Sequence, residues 1–265
     1  MQKELISLAR IAGDAIRAVY ERGTWETTFK ADESPLTEAD RASHQILCEG
    51  LTKLEPGVPI LSEESDEIPY EIRKNWSGYY LVDPLDGTRE FEARIPEFAI
   101  NIAFIEGGAP VMGLIYSPLE RTALFAQKNC GLFKITQSET APVIFSNERA
   151  SLSLLLSHTD SSPGLDRLLA KTPDPVITRM GSSLKFCAIA ESKADFYPRL
   201  KPSMEWDTAA GTILIQEAGG LMCQLNGRPI EYNRQDMLNP PFFAMAKSLF
   251  EKLPDWQERF FNPME

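Results

Sequence analysis

Cysteine and histidine are scarce in this chain, four and two among 265 residues, and their scarcity limits the chemistry on offer. Cys48, Cys130, Cys187 and Cys223 lie far apart and show no paired ligand spacing, so the sequence indicates neither a zinc centre nor a disulfide framework. Reduced, mostly buried thiols are expected. His44 falls in a helical stretch without ligand partners and reads as structural or surface-exposed. Positive charge is also in deficit, 27 Lys and Arg against 38 Asp and Glu, for a formal net charge of -11. That balance excludes nonspecific binding to nucleic-acid polymers or anionic membranes, which needs cations to neutralise phosphates. Long apolar runs are missing too. Lys3, Glu4, Arg10, Asp14 and Arg17 interrupt the first twenty residues, so no signal peptide or transmembrane segment is read and a cytoplasmic protein is expected. The chain shows no internal repeat and no low-complexity tract.

What is present is a 43% apolar composition, enough for a sizeable core. Leu5, Leu8, Ala9, Ala12, Ala15, Ile16 and Val19 recur at three- and four-residue intervals and predict a helix with one buried face. A second helix runs from Leu36 through Leu51, and Thr37 with Asp40 three residues on reads as its capping box. Strand-like runs follow at 79–82, 98–106, 110–116 and 122–127, with Gly107-Gly108-Ala109 as a hairpin connection. Apolar density falls through 136–142, which predicts the approach to a domain boundary near residue 145. Beyond it, strands near 152–156, 176–178, 194–197, 221–223 and 242–246 alternate with helices near 163–171, 183–191 and 207–218, the pattern of an α/β layer. The expected organisation is an N-terminal α+β half, 1–145, carrying metal-binding residues, and a C-terminal α/β half, 146–265, completing the site. Trp256, Phe260 and Phe261 lie at helical spacing in the tail 251–265, which packs on the body or at a subunit interface.

Chemistry concentrates where apolar runs meet acids. Tyr79-Tyr80-Leu81-Val82 reads as a buried strand that ends at Asp83-Pro84-Leu85-Asp86-Gly87. Pro84 fixes its own φ, so Asp83 and Asp86 converge on one point rather than splaying along a strand. Gly87 lets backbone approach a ligand, and the N–H groups after Asp86 offer a phosphate cradle. Taken alone, such a stretch is also an ordinary surface turn. Two further acidic sites change the reading: Leu61-Ser62-Glu63-Glu64 upstream, and Glu205-Trp206-Asp207 downstream, where Asp207 opens a helix and by default simply caps it. Carboxylates gathered without cations repel one another, and Mg2+, which prefers oxygen ligands and keeps places for phosphate and water, is the expected remedy.

Glu63-Glu64, Asp83-Pro84-Leu85-Asp86-Gly87-Thr88 and Trp206-Asp207-Thr208-Ala209-Ala210-Gly211 together resemble the signature of the inositol monophosphatase superfamily, over roughly 37–243. Within it, Thr88-Arg89-Glu90-Phe91, Gly181-Ser182-Ser183-Leu184-Lys185-Phe186-Cys187, Ala194-Asp195-Phe196-Tyr197-Pro198-Arg199 and Leu238-Asn239-Pro240-Pro241 are most similar to bacterial 3'(2'),5'-bisphosphate nucleotidases. The resemblance implies the sugar-phosphatase fold, with alternating α and β layers, and a lithium-sensitive, magnesium-dependent phosphatase linked to sulfur metabolism. It implies that Glu64, Asp83 and the Leu85 carbonyl hold one Mg2+, and that Asp83, Asp86 and Asp207 hold a second. A third, weaker ion near Glu63 or Glu64 and Asp40 stays open.

By the same resemblance, Glu64, Asp40 and Thr88 activate the attacking water, and Gly87, Thr88, His158, Ser182, Lys185, Arg199 and Asp207 contact substrate. The implied reaction removes the 3'-phosphate of adenosine 3',5'-bisphosphate, giving AMP and phosphate without a covalent phosphoenzyme. Inositol monophosphates and sugar bisphosphates are alternative substrates for the same metal core. From a different class stands a protein that binds cation and nucleotide without cleavage, which would lack a water-activating pair. The expected partner is a small phosphorylated molecule; monomer and homodimer both stay open.

Overall fold

The computed structural model describes residues 1–30, 35–143 and 151–261. The expected boundary near residue 145 and residues 262–265 of the tail lie outside the described residues. In chain order the elements are α1 (Gln2–Arg22), β1 (Thr27–Phe29), β2 (Pro35–Thr37), α2 (Glu38–Leu54), β3 (Ile60–Ser62), α3 (Tyr70–Arg73), β4 (Gly78–Asp86), α4 (Thr88–Glu92), β5 (Ala99–Glu106), β6 (Ala109–Ser117), β7 (Thr122–Gln127), β8 (Gly131–Ile135) and β9 (Thr140–Pro142). They continue with β10 (Ser153–Leu156), α5 (Pro163–Ala170), β11 (Val176–Arg179), α6 (Leu184–Ala190), β12 (Phe196–Arg199), β13 (Ser203–Met204), α7 (Glu205–Glu217), β14 (Leu221–Gln224), β15 (Leu238–Asn239), β16 (Phe242–Met245), α8 (Lys247–Lys252) and α9 (Trp256–Phe261).

A seven-stranded sheet runs in sequence order from β3 to β9, parallel at β3–β4 and antiparallel elsewhere. The two-residue period of β4 sends its side chains to opposite faces. Tyr80 and Val82 join Leu5, Ile16, Leu47, Ile100, Ile102 and Leu114 under α1 and α2, whereas Tyr79 and Leu81 join Ala103, Ile115, Ile213 and Leu214 on the side of α6 and α7. The second sheet, ordered β11-β10-β12-β16-β14, is built the same way. Leu155, Tyr197, Phe242 and Ala244 face α6 and α7, while Leu154, Leu156, Phe196 and Phe243 pack with Leu165, Leu168, Leu249 and Phe260 of α5, α8 and α9. The result is a stack of alternating α and β layers in which α6 and α7 are covered by sheet on both sides. Hence α7 lacks a polar face over most of its length. It lies so close to β6 that a Cβ on Gly113 would meet Ile213 at 2.4 Å and the Ala210 carbonyl at 2.8 Å.

Three sequence expectations change. The fading stretch 136–142 contains β9, an edge strand paired with β8 where Pro142 lies opposite Phe133; an edge tolerates a proline that a central strand would not. The tail packs on the body: Phe260 is buried and its ring stacks on Phe196 at 4.7 Å. Of the four thiols only Cys223 is fully buried, Cys48 and Cys187 are partly covered, and Cys130, in the turn before β8, is exposed. Among the described residues no helix is long and apolar enough to cross a membrane.

Candidate metal and phosphate site

Three chain segments deliver carboxylates to one place. Asp83 and Asp86 both belong to β4, whose pairing with β5 shifts register between them, Asp83 lying opposite Asn101 and Asp86 opposite Ala99, rather than ending in a turn at Asp83. Glu63 follows β3, its N–H donating to the Val82 carbonyl at 3.0 Å. Asp207 stands in the first turn of α7, where its carboxylate accepts the Met204 N–H at 2.9 Å. One carboxylate oxygen from each of Glu63, Asp83 and Asp207 lies within 4.8 Å of the others.

The electrostatics are unbalanced. Burial and then the charges of Glu63, Asp86, Asp207 and Asp40 push the Asp83 carboxyl well above the ordinary range. Burial followed by Asp86 and Glu63 does the same to Asp207. Burial also raises Glu63, against the pull of Lys30. The Lys30 ammonium lies 2.7 Å from Glu63 and 2.8 Å from Glu64; burial opposes its charge, yet the two carboxylates hold its pKa above the usual lysine value. A set of hard carboxylate oxygens, free of thiol and imidazole, fits a hard divalent cation.

Asp40 sits beside this cluster and serves two neighbours. Its Oδ2 accepts the Thr37 N–H at 2.8 Å and the Thr37 hydroxyl at 2.5 Å, completing the capping box of α2. Its Oδ1 accepts the Thr88 hydroxyl at 3.1 Å, and the Leu85 carbonyl is at the same distance from that hydroxyl. The capping reading and the Asp40–Thr88 pairing therefore hold together, one on each carboxylate oxygen. Burial raises the Asp40 carboxyl despite the Thr37 bonds that oppose it.

Across the cleft, the segment before α6 is tied to the β4 turn. Ser182 donates to Asp86 at 2.7 Å, and the Ser183 N–H donates to the same carboxylate oxygen. Ser182 adopts φ 57, and Gly87 adopts φ 96 with the Glu97 carbonyl 2.7 Å from where its Cβ would be. A side chain at position 87 would thus meet both strain and collision. Glu97 accepts the Gly181 N–H at 2.6 Å, and its carboxylate lies 2.6 Å from His158 Nε2.

Lys185 is buried, donating to the Ser182 carbonyl at 2.7 Å and the Met180 carbonyl at 3.1 Å. Burial pushes its pKa down to about 8. Arg199 donates to the Ser157 hydroxyl at 3.1 Å and lies 3.7 Å from Asp160. A cavity of about 60 Å³ is lined by Asp86, Ser182, Lys185, Arg199, Asp207 and Thr208 among others.

Geometry therefore brings Asp83, Asp207 and Glu63 into mutual reach, with Asp86, Leu85, Thr88 and Asp40 alongside. Glu64 shares Lys30 with Glu63 but is not in that triad, and His158 lies on Glu97 rather than against that cavity. His44 is half-buried, its Nδ1 2.9 Å from the Ser62 hydroxyl. Lys30, Glu97 and Ser183 were not singled out as site residues from sequence. Lys30 and Glu97 stand in stretches without motif or period, while Ser183 belongs to the quoted Gly181–Cys187 segment and only its place at the start of α6 marks it.

A model of the inositol monophosphatase family matches residues 1–259. The chain is 41% identical over 252 residues to a 3'(2'),5'-bisphosphate nucleotidase CysQ of Salmonella typhimurium, covering 91% of this chain and 98% of the relative. A nucleotidase of that name from Haemophilus influenzae is 33% identical over 261 residues, covering 97% and 95%. Among solved structures, CysQ of Bacteroides thetaiotaomicron superposes with TM-score 0.82 at 35% identity, covering 92% of this chain and 96% of that one. The extragenic suppressor protein SuhB of Bartonella henselae, 24% identical, shares the fold with TM-score 0.78 over 99% of both chains. With the acidic centre, the layered fold and these matches in agreement, the chain belongs to the inositol monophosphatase family.

Proposed function

We propose that this protein is a magnesium-dependent 3'(2'),5'-bisphosphate nucleotidase that hydrolyses the 3'-phosphate of adenosine 3',5'-bisphosphate to AMP and phosphate. The observation that carries the reading is the small cavity whose lining combines two acids, Asp86 and Asp207, with two cations, Lys185 and Arg199. Curated relatives about 41% identical over nearly their whole length act on such bisphosphates by name, which supports it.

Glu63, Asp83 and Asp207 would hold divalent metal, with Asp86, Glu64 and the Leu85 carbonyl as further oxygen ligands for a second ion. When bound, such ions supply Lewis-acid polarisation of the phosphoryl group and of a water. The chain's own groups do the rest. Thr88 Oγ, fixed by Asp40 and the Leu85 carbonyl, accepts a proton from the attacking water while its own proton passes to Asp40 Oδ1. The raised pKa of Asp40 suits it to receive that proton. Gly87 would offer its backbone N–H to phosphate at the end of β4, and Ser182, Lys185 and Arg199 would receive the 5'-phosphate. A phosphate near the Lys185 ammonium would restore the charge that burial disfavours. His158, held on Glu97, would contact the nucleoside.

The test is phosphate release from adenosine 3',5'-bisphosphate, 2'-AMP, inositol phosphates and sugar bisphosphates, with magnesium and with millimolar lithium added. The adenosine bisphosphate should be the preferred substrate, and lithium should inhibit. Preference for an inositol phosphate or a sugar bisphosphate would replace the substrate, and no release from any of them would leave a binding protein.

A further inference from the structure

Glu205 is fully buried, two residues before Asp207, and belongs to none of the groups assigned above. Its carboxylate accepts the backbone N–H of Asn233 at 2.8 Å and of Arg234 at 3.0 Å, and the Arg234 guanidinium lies 3.6 Å away. Asn233 in turn faces the other half of the fold. Its side chain donates to the Arg73 carbonyl at 2.8 Å, and Arg73 donates back to it at 3.0 Å and to the Gln235 carbonyl at 2.9 Å. Arg73 ends α3 and is itself buried. The backbone at Glu205 is held as well, its N–H donating to Met237 at 2.9 Å, and Asn239 donates to the Met204 carbonyl at 2.9 Å and to the Thr208 hydroxyl at 2.7 Å. The first turn of α7 is thus fastened on both sides of Asp207.

A buried acid whose oxygens are taken by two backbone N–H groups does no proton chemistry; it fixes where those two segments meet. We infer that Glu205 is a positioning residue that, through Asn233 and Arg73, sets Asp207 at its distance from Asp83 and Glu63. The inference rests on reading those three acids as a metal centre. Groups hydrogen-bonded directly to metal ligands typically cost about 10- to 100-fold in metal affinity when removed, and Glu205, one step further out, should fall at the lower end of that range. The same helix provides a matched control. At its far end Glu217 also accepts two backbone N–H groups, from Asn129 at 2.9 Å and Gly131 at 2.8 Å, but three turns away from Asp207.

The experiment measures Mn2+ binding directly, by the loss of free-ion electron paramagnetic resonance signal, on the full chain. Glu205→Gln keeps shape but sets an amide N–H2 against one of the two donors. It should weaken Mn2+ binding about tenfold or more while circular dichroism stays native, and Glu217→Gln should change it less than about twofold. Equal binding by Glu205→Gln and wild type, or equal weakening by both variants, overturns the assignment. Absence of Mn2+ binding by the wild type overturns the metal centre itself and this inference with it. If Glu205→Gln does not fold, Asn233→Gly decides: Asn233 has φ 62, which glycine accepts, so only the side-chain link to Arg73 is lost. A fall of several-fold in Mn2+ affinity supports the inference, and unchanged affinity overturns it.

Discussion

Asp83 and Asp195 are equally hidden and oppositely treated. Asp195, before β12, is fully buried and accepts the Ser153 N–H at 2.8 Å, the Ser248 hydroxyl at 2.5 Å and the Lys252 ammonium at 2.9 Å. Asp83 is 1% exposed, receives among the described residues one hydrogen bond, from the Leu85 N–H at 3.0 Å, and faces carboxylates instead of cations. A buried charge needs a partner. Where the fold provides one, as at Asp195, the acid ties α8 to the sheet and is part of the architecture. Where the fold instead gathers further acids, the missing positive charge has to come from outside, and the residue marks a site.

The widest separation between the two is expected in turnover. Asp83→Asn should lower phosphate release by roughly 10²- to 10³-fold, since a metal contribution of several kcal/mol is removed. In the absence of metal it should leave thermal stability unchanged or raise it, because one of several repelling charges is gone. Retained turnover would make Asp83 an ordinary turn residue like any other acid after a strand.

Asp195→Ala should do the reverse. It removes one member of a buried ion pair and leaves Lys252 uncompensated, a loss of about 3 kcal/mol. Thermal denaturation should show a midpoint lower by roughly 6 °C, with kcat at moderate temperature within about twofold of wild type. Lost turnover at full folding would place Asp195 in the site and erase the contrast.

The smallest effect is in the pH dependence. Folding raises the carboxyl pKa values of Asp83, Asp207 and Glu63 above 3.8 and 4.5. The native state then binds more protons than the unfolded state in the window above those values, so stability is fully present below them and falls as pH rises through the raised folded values. Metal-free protein should therefore lose a few degrees in melting midpoint as pH rises from about 5 towards 8. Saturating magnesium should raise the midpoint and flatten that slope, because the ion binds the charged native form. Asp195→Ala should keep the slope and Asp83→Asn should reduce it; identical slopes in all three proteins would remove the electrostatic distinction.

Much of the fold was legible because the signals are local. The amphipathic repeat from Leu5 to Val19 became α1, and the apolar runs around Tyr79–Val82, Phe98–Glu106 and Pro110–Tyr116 became the central strands β4, β5 and β6. Short strands were not legible. β1, β2, β13 and β15 are two or three residues long and exist because a partner strand supplies their hydrogen bonds, which no window of sequence contains. Within the site, the acids of Asp83-Pro84-Leu85-Asp86-Gly87 were legible, but the expected turn from Asp83 is an irregularity inside β4, which runs on to Asp86 with its register against β5 shifted between the two acids.

The pairings across the chain were not legible. Asp40 and Thr88 are 48 positions apart, Asp86 and Ser182 are 96 apart, and Arg73 and Asn233 are 160 apart. Lys185 was legible as a substrate contact only through the family resemblance; that the layers on either side of α6 bury it is a property of the packing. The sequence by itself determined which residues have the chemistry to bind cation and phosphate, because residue type and neighbouring turn geometry are properties of short segments. Only the tertiary structure decided which of these acids meet, that Glu63 joins Asp83 and Asp207 while Lys30 bridges Glu63 to Glu64, because convergence depends on how strands β3 and β4 and helix α7 pack, and packing sums over contacts far apart in the chain.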